Sequence, residues 1–91
     1  MEIINAMKDI LVNRSHGEMI TINEDKTWAG EPRVTATYES GYAEALVLSD
    51  YDHFAAEPRD DFKSLDLFVA DDNAEFRREG GWNVINGKIQ W

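Results

Sequence analysis

The sequence predicts an α+β domain: one N-terminal amphipathic helix packed on a mostly antiparallel sheet of five or six strands, ending in a β-hairpin. Three observations predict it. Residues 2–14 carry apolar side chains at helical spacing, whereas most of the chain after Gly17 alternates in strand fashion or breaks at turn residues. The last ten residues, Trp82 to Trp91, close around Asn86-Gly87, a dipeptide suited to a type I′ turn because both residues tolerate positive φ at little cost. A helix followed by antiparallel strands is most simply satisfied by laying the helix across one face of the sheet. Ninety-one residues make a single domain, 1–91.

Taken in order, the helix spans Glu2 to Arg14, with Ile3, Ile4, Met7, Ile10 and Leu11 on one stripe. Glu2 suits the positive end of the helix dipole, Arg14 and His16 suit the negative end, and Gly17 is a left-handed stop. Glu18 to Ile22 reads as a short strand, Asn23 to Lys26 as a turn, and Trp28 to Pro32 as an irregular connection. A hairpin follows. With Ser40-Gly41 as a two-residue turn, Tyr38 pairs with Ala43, Ala36 with Ala45 and Val34 with Val47, leaving Leu46 and Leu48 on the polar face. Asp50 to Asp61, broken by Pro58, reads as a loop, and Ser64 to Val69 as a strand. Asp72 to Glu75 has capping-box spacing and predicts a short helix over Phe76 to Glu79. In the closing hairpin Ile85 pairs with Lys88, Val84 with Ile89, Asn83 with Gln90 and Trp82 with Trp91. Trp82, Val84, Ile89 and Trp91 therefore form one apolar wall.

Charge is the outlying feature. The net charge is −9, and all of it lies between Glu39 and Glu75, where eleven acidic residues face only Arg59 and Lys63. The remainder of the chain is balanced. Direct nucleic-acid binding calls for the opposite sign. There is no cysteine, so a disulfide scaffold and a thiolate metal site are excluded. No apolar run reaches membrane-spanning length and no leader pattern precedes the helix, so the expected location is the cytoplasm, with no membrane partner.

The motifs of catalysis are missing. The sequence has no nucleophile elbow, phosphate-binding glycine loop or zincin helix. His53 beside Asp50 and Asp52 could serve as a base or ligand, but adjacency in sequence supplies no catalytic geometry. Asp50, Asp52 and Asp61 fall at the first, third and twelfth positions of a calcium-loop window. Phe54 and Ala55 occupy its centre, where an oxygen ligand and a glycine are required. No enzyme, cofactor or metal site is therefore expected, and a metal-dependent role for His53 ranks last.

The acidic segment has the greatest functional reach. Duplex DNA carries one charge per roughly 1.7 Å, so nine net charges match about 15 Å of duplex. Carboxylates at Asp50, Asp52, Glu57, Asp60, Asp61, Asp66, Asp71, Asp72 and Glu75 could stand in for phosphates toward Arg and Lys of a partner, with Tyr42, Tyr51 and Phe54 as apolar anchors. In size, acidity and lack of catalytic motifs the chain resembles the anti-CRISPR and anti-restriction nucleic-acid mimics that phages and mobile elements use against host nucleases. The resemblance is one of type and assigns no residues. It implies an inhibitor of a basic nucleic-acid-binding protein or nuclease complex. The alternative is an adaptor that binds through an apolar surface around Trp28 or the Trp82–Trp91 hairpin. Neither reading sets an oligomeric state.

Overall fold

The structure, a computed structural model, describes residues 2–49, 62–71 and 75–90. Helix α1 (Glu2–Arg14) is followed by β1 (Ile20–Lys26), β2 (Pro32–Tyr38), β3 (Ala43–Ser49), β4 (Phe62–Ala70), β5 (Arg77–Ile85) and β6 (Lys88–Gln90). The six strands form one antiparallel sheet in sequence order. Every strand lies beside its neighbour in the chain, so the sheet needs no crossover. The α+β class and the six-stranded antiparallel sheet agree with the sequence reading.

The α1 boundaries agree as well. Ile3, Met7, Ile10 and Leu11 are buried, and Ile4 packs against the same core. The chain leaves the helix through two left-handed residues, His16 (φ 52°) and Gly17 (φ 87°). Ser15 ties this exit down by donating from its hydroxyl to the Val12 carbonyl at 2.6 Å. The helix lies over β2 and β3.

One sheet face meets the helix. It carries Ile20 and Ile22, then Val34 and Ala36, Leu46 and Leu48, Leu65 and Leu67, and finally Trp82, Val84 and Ile89. The strand registers place these side chains in rows across the sheet, for example Val34 beside Leu46 beside Leu67. The closing hairpin has the predicted register over Asn83–Gln90, Val84–Ile89 and Ile85–Lys88. Asn86 (φ 52°) and Gly87 (φ 78°) supply the two left-handed positions of its turn. Trp91 lies outside the described residues, as do Met1, the predicted loop from Asp50 to Asp61 and the Asp72–Ala74 part of the capping box.

Three expectations are corrected. β1 begins at Ile20 and runs on to Lys26 through residues read as a turn. It reaches β2 through the three-residue loop Trp28-Ala29-Gly30, in which Gly30 N–H donates to Thr27 O at 2.9 Å.

The β2–β3 hairpin has the same construction, not the two-residue Ser40-Gly41 turn. Gly41 N–H donates to Tyr38 O at 3.0 Å, Tyr38 N–H to Tyr42 O at 2.9 Å, and Gly41 takes φ 95°. A three-residue loop ending in a left-handed glycine is the next most favourable hairpin closure. It moves the register by one, so Ala36 lies opposite Glu44 and Val34 opposite Leu46. Because strand side chains alternate, this slip exchanges the faces of all of β3. Leu46 and Leu48 enter the core, while Ala43, Ala45 and Val47 turn to the outer face.

The third correction concerns Phe76 to Glu79, predicted as a short helix. Arg77 onward is strand β5, paired with β4 from Val69–Arg77 to Phe62–Ile85. A four-residue helix with one apolar side chain would bury almost nothing. The strand instead satisfies the backbone of β4, whose Leu65, Leu67 and Val69 are core residues.

Candidate partner-binding surfaces

The described candidate acids separate into a buried one and exposed ones. Of the nine, Asp66, Asp71 and Glu75 are described; Asp50, Asp52, Glu57, Asp60, Asp61 and Asp72 lie outside the described residues. Asp66 is buried, only 6% exposed, although it lies on the outer face of β4. Its Oδ1 accepts from Ser64 Oγ at 2.9 Å and from Arg78 Nε and Nη2 at 3.2 and 3.1 Å. A bulge beside Leu67/Phe68 makes this contact possible. The extra residue, Glu79, puts Arg78 and Gly81 on the same face, and Gly81 is paired with Asp66. Asp66 therefore fixes β5 to β4 and offers little charge to a partner.

Asp71 and Glu75 are exposed, and the register shows what accompanies them. Asp71 follows Ala70, which lies level with Ala43 at the start of β3. Glu39 follows Tyr38, which lies level with Ile20 at the start of β1. Glu18, Glu39, Asp71 and Glu75 thus gather at one end of the sheet, all exposed. Arg77 lies near Asp71 at 3.8 Å and near Glu79 at 3.9 Å, long and solvated distances worth little.

Beneath that end lies a polar cluster absent from the sequence reading. The Glu44 carboxylate is 2% exposed under the last turn of α1. Arg14 donates to Oε2 from Nε at 2.9 Å and from Nη2 at 2.6 Å. Tyr42 donates to Oε2 at 3.1 Å, and Tyr38 to Oε1 at 3.2 Å. The tyrosine rings meet at 5.2 Å, tilted by 59°. Burial, reinforced by the Glu44 charge, pushes the Tyr38 hydroxyl up to about 12. The same causes raise Tyr42, while hydrogen bonding to Glu44 raises Arg14. The cluster is closed on itself, with four donors meeting one carboxylate.

The outer face presents a different surface. A cavity of about 460 Å³ is floored by Thr35, Ala45, Val47 and Phe68 and walled by Trp28 and Phe76. Trp28 is 99% exposed and Phe76 48%. Arg33 and Glu31 complete the rim. Arg33 is already engaged, donating to both oxygens of Asp25 at 2.8 and 2.7 Å, and this hydrogen bonding lowers the Asp25 pKa. The sequence singled out Trp28 but not the surface beside it. The two-residue register places Ala45 and Val47 on one apolar face with Val34 and Ala36, and a helix over Phe76 to Glu79 takes Phe76 off the sheet.

Among the described residues no three His, Asp or Glu side chains are placed to hold a metal ion. No described helix is long and apolar enough to cross a membrane. Compared with known proteins, the chain matches no family model, no curated protein and no solved structure.

Proposed function

We propose that this chain is a non-enzymatic binding module for a basic, nucleic-acid-handling protein, and that it inhibits by occupying the surface where nucleic acid would lie. The observation that carries the reading is the segregation of charge: the net −9 arises entirely between Glu39 and Glu75. The gathering of Glu18, Glu39, Asp71 and Glu75 at one sheet end is consistent with it. Carboxylates there act as phosphate-like partners for arginine and lysine and steer the encounter. An inhibitor of the anti-CRISPR or anti-restriction kind, carried by a phage or mobile element and acting in the cytoplasm, is the biological setting that suits such a module.

The test is capture of basic nucleic-acid-binding proteins on the immobilised chain at rising salt, with and without duplex DNA as competitor. Release by salt and by duplex is expected. The triple variant Glu39→Lys, Asp71→Lys, Glu75→Lys should bind more weakly and with a shallower salt dependence. Undiminished capture by that variant, or indifference to duplex, would sink the mimic.

The exposed indole of Trp28 favours a second reading, an adaptor that binds through apolar contact. Binding that resists salt and is lost in Trp28→Ala would identify it.

A further inference from the structure

We infer that the outer-face groove receives a short extended segment of the basic partner: an apolar side chain seats between Trp28 and Phe76, and a flanking lysine or arginine faces Glu31 at the rim. The inference rests on the proposed basic partner and names the surface that gives it specificity.

The groove has the features of a built receptor. At about 460 Å³ it falls within the size range of ligand-binding clefts, and its floor is the rigid face of β2, β3 and β4. Trp28 is held at its edge by a fixed loop. Thr27 N–H donates to Glu31 O at 2.9 Å, Gly30 N–H to Thr27 O at 2.9 Å, and the Thr27 hydroxyl oxygen accepts the Glu31 N–H at 3.2 Å. The loop backbone that carries the indole is therefore ordered before binding, and tryptophan is among the side chains enriched at positions that dominate interface energies.

The charges select the occupant. Glu31 lines the groove on the Trp28 side. The cation on the rim, Arg33, is neutralised by Asp25. An apolar floor beside a carboxylate fits an apolar residue beside a cation. A second copy of this chain fits poorly, because each copy brings a net charge of −9.

The experiment titrates the isotope-labelled full chain with two peptide amides, Lys-Arg-Leu-Phe-Lys-Arg and Lys-Arg-Ser-Gly-Lys-Arg, following amide and indole resonances. The apolar-centred peptide is expected to bind at least about thirtyfold more tightly, the lower end of the hot-spot range. Its largest shifts should fall on the Trp28 indole and on Ala45, Val47 and Phe68. Trp28→Ala should erase the preference; the side chain is almost wholly exposed, so the fold should persist. Equal binding of both peptides, with shifts confined to Glu39, Asp71 and Glu75, would overturn the groove and leave the basic-partner reading standing. Failure of both peptides to bind would remove the two together.

Discussion

The Glu44 carboxylate joins the two layers of the molecule, with Arg14 of α1 above it and Tyr38 and Tyr42 of the β2–β3 hairpin beside it. Removing one partner of such a buried arrangement costs far more than removing an exposed pair, because the donors left behind lose their acceptor. Arg14 is partly solvated, which tempers the loss. Glu44→Ala should therefore lower stability by about 2–3 kcal/mol in urea unfolding. Asp25→Asn, which breaks an exposed pair, should leave the urea midpoint nearly unchanged. Tyr38 adds a pH signature. Its folded pKa, about 12, lies above the ordinary tyrosine value, so the native state holds the proton more tightly than the unfolded chain. The resulting stability is complete below pH ~10 and is lost as pH rises toward 12. Glu18, Glu44 and Tyr42 raise the pKa further, beyond the effect of burial. Tyr38→Phe should flatten the alkaline limb of a stability–pH curve, and an unchanged limb would assign that loss to other groups.

At the scale of elements, the hairpins and the bulge hold the sheet in register. Gly41 occupies φ 95°, where a side chain is strained, so Gly41→Ala should cost about 1 kcal/mol. The adjacent glycines of β5 should behave oppositely to each other. A Cβ on Gly81 would lie 2.6 Å from the Leu65 carbonyl oxygen, whereas one on Gly80 would meet nothing within 4 Å. Thermal unfolding should show Gly81→Ala losing roughly 2–3 kcal/mol and Gly80→Ala changing stability by less than about 0.5 kcal/mol. A loss at Gly81 as small as that at Gly80 would mean that β5 relaxes around the added methyl. These elements also show what was legible in the sequence. α1 and the Asn86-Gly87 hairpin were readable because local chemistry and tertiary demand agree there. The β2–β3 register was not, since a two-residue turn gives a plausible small-residue face of Ala43, Ala45 and Val47. The discriminating signal was present: Leu46 and Leu48 are the bulkiest apolar side chains of β3, and the two-residue register leaves both outside. The capping-box spacing before Phe76 misled because tertiary pairing with β4 outweighs a local preference worth only tenths of a kcal/mol per residue. The candidate site suffered with the fold. The exposed acids and Trp28 could be named from sequence, but the groove floor depended on the register, and the burial of Asp66 depended on the bulge.

Across the whole molecule the net charge of −9 is set against the ion pairs formed among the described residues. The molecule measures about 40 × 25 × 21 Å. At 0.01 M salt the screening length is about 30 Å, so acids on opposite sides still repel one another; at 0.15 M it is about 8 Å, and that repulsion is confined to neighbours. The favourable pairs respond differently. Glu44–Arg14 and Asp66–Arg78 each have a buried carboxylate, which limits their screening. Lys8–Glu24 and Arg33–Asp25 are solvated and contribute little at any salt concentration. Screening therefore removes more repulsion than attraction. Raising sodium chloride from 0.01 to 0.15 M should move the urea midpoint upward, with the slope of the transition unchanged. Replacing Glu39, Asp71 and Glu75 together by glutamine should reduce this salt effect and raise stability at low salt, because three mutually repelling charges at one sheet end are removed. A midpoint that falls with salt would show that the ion pairs dominate. In that case the acidic end would be a stabilised feature of the fold, and its charges would not stand in reserve for a basic partner.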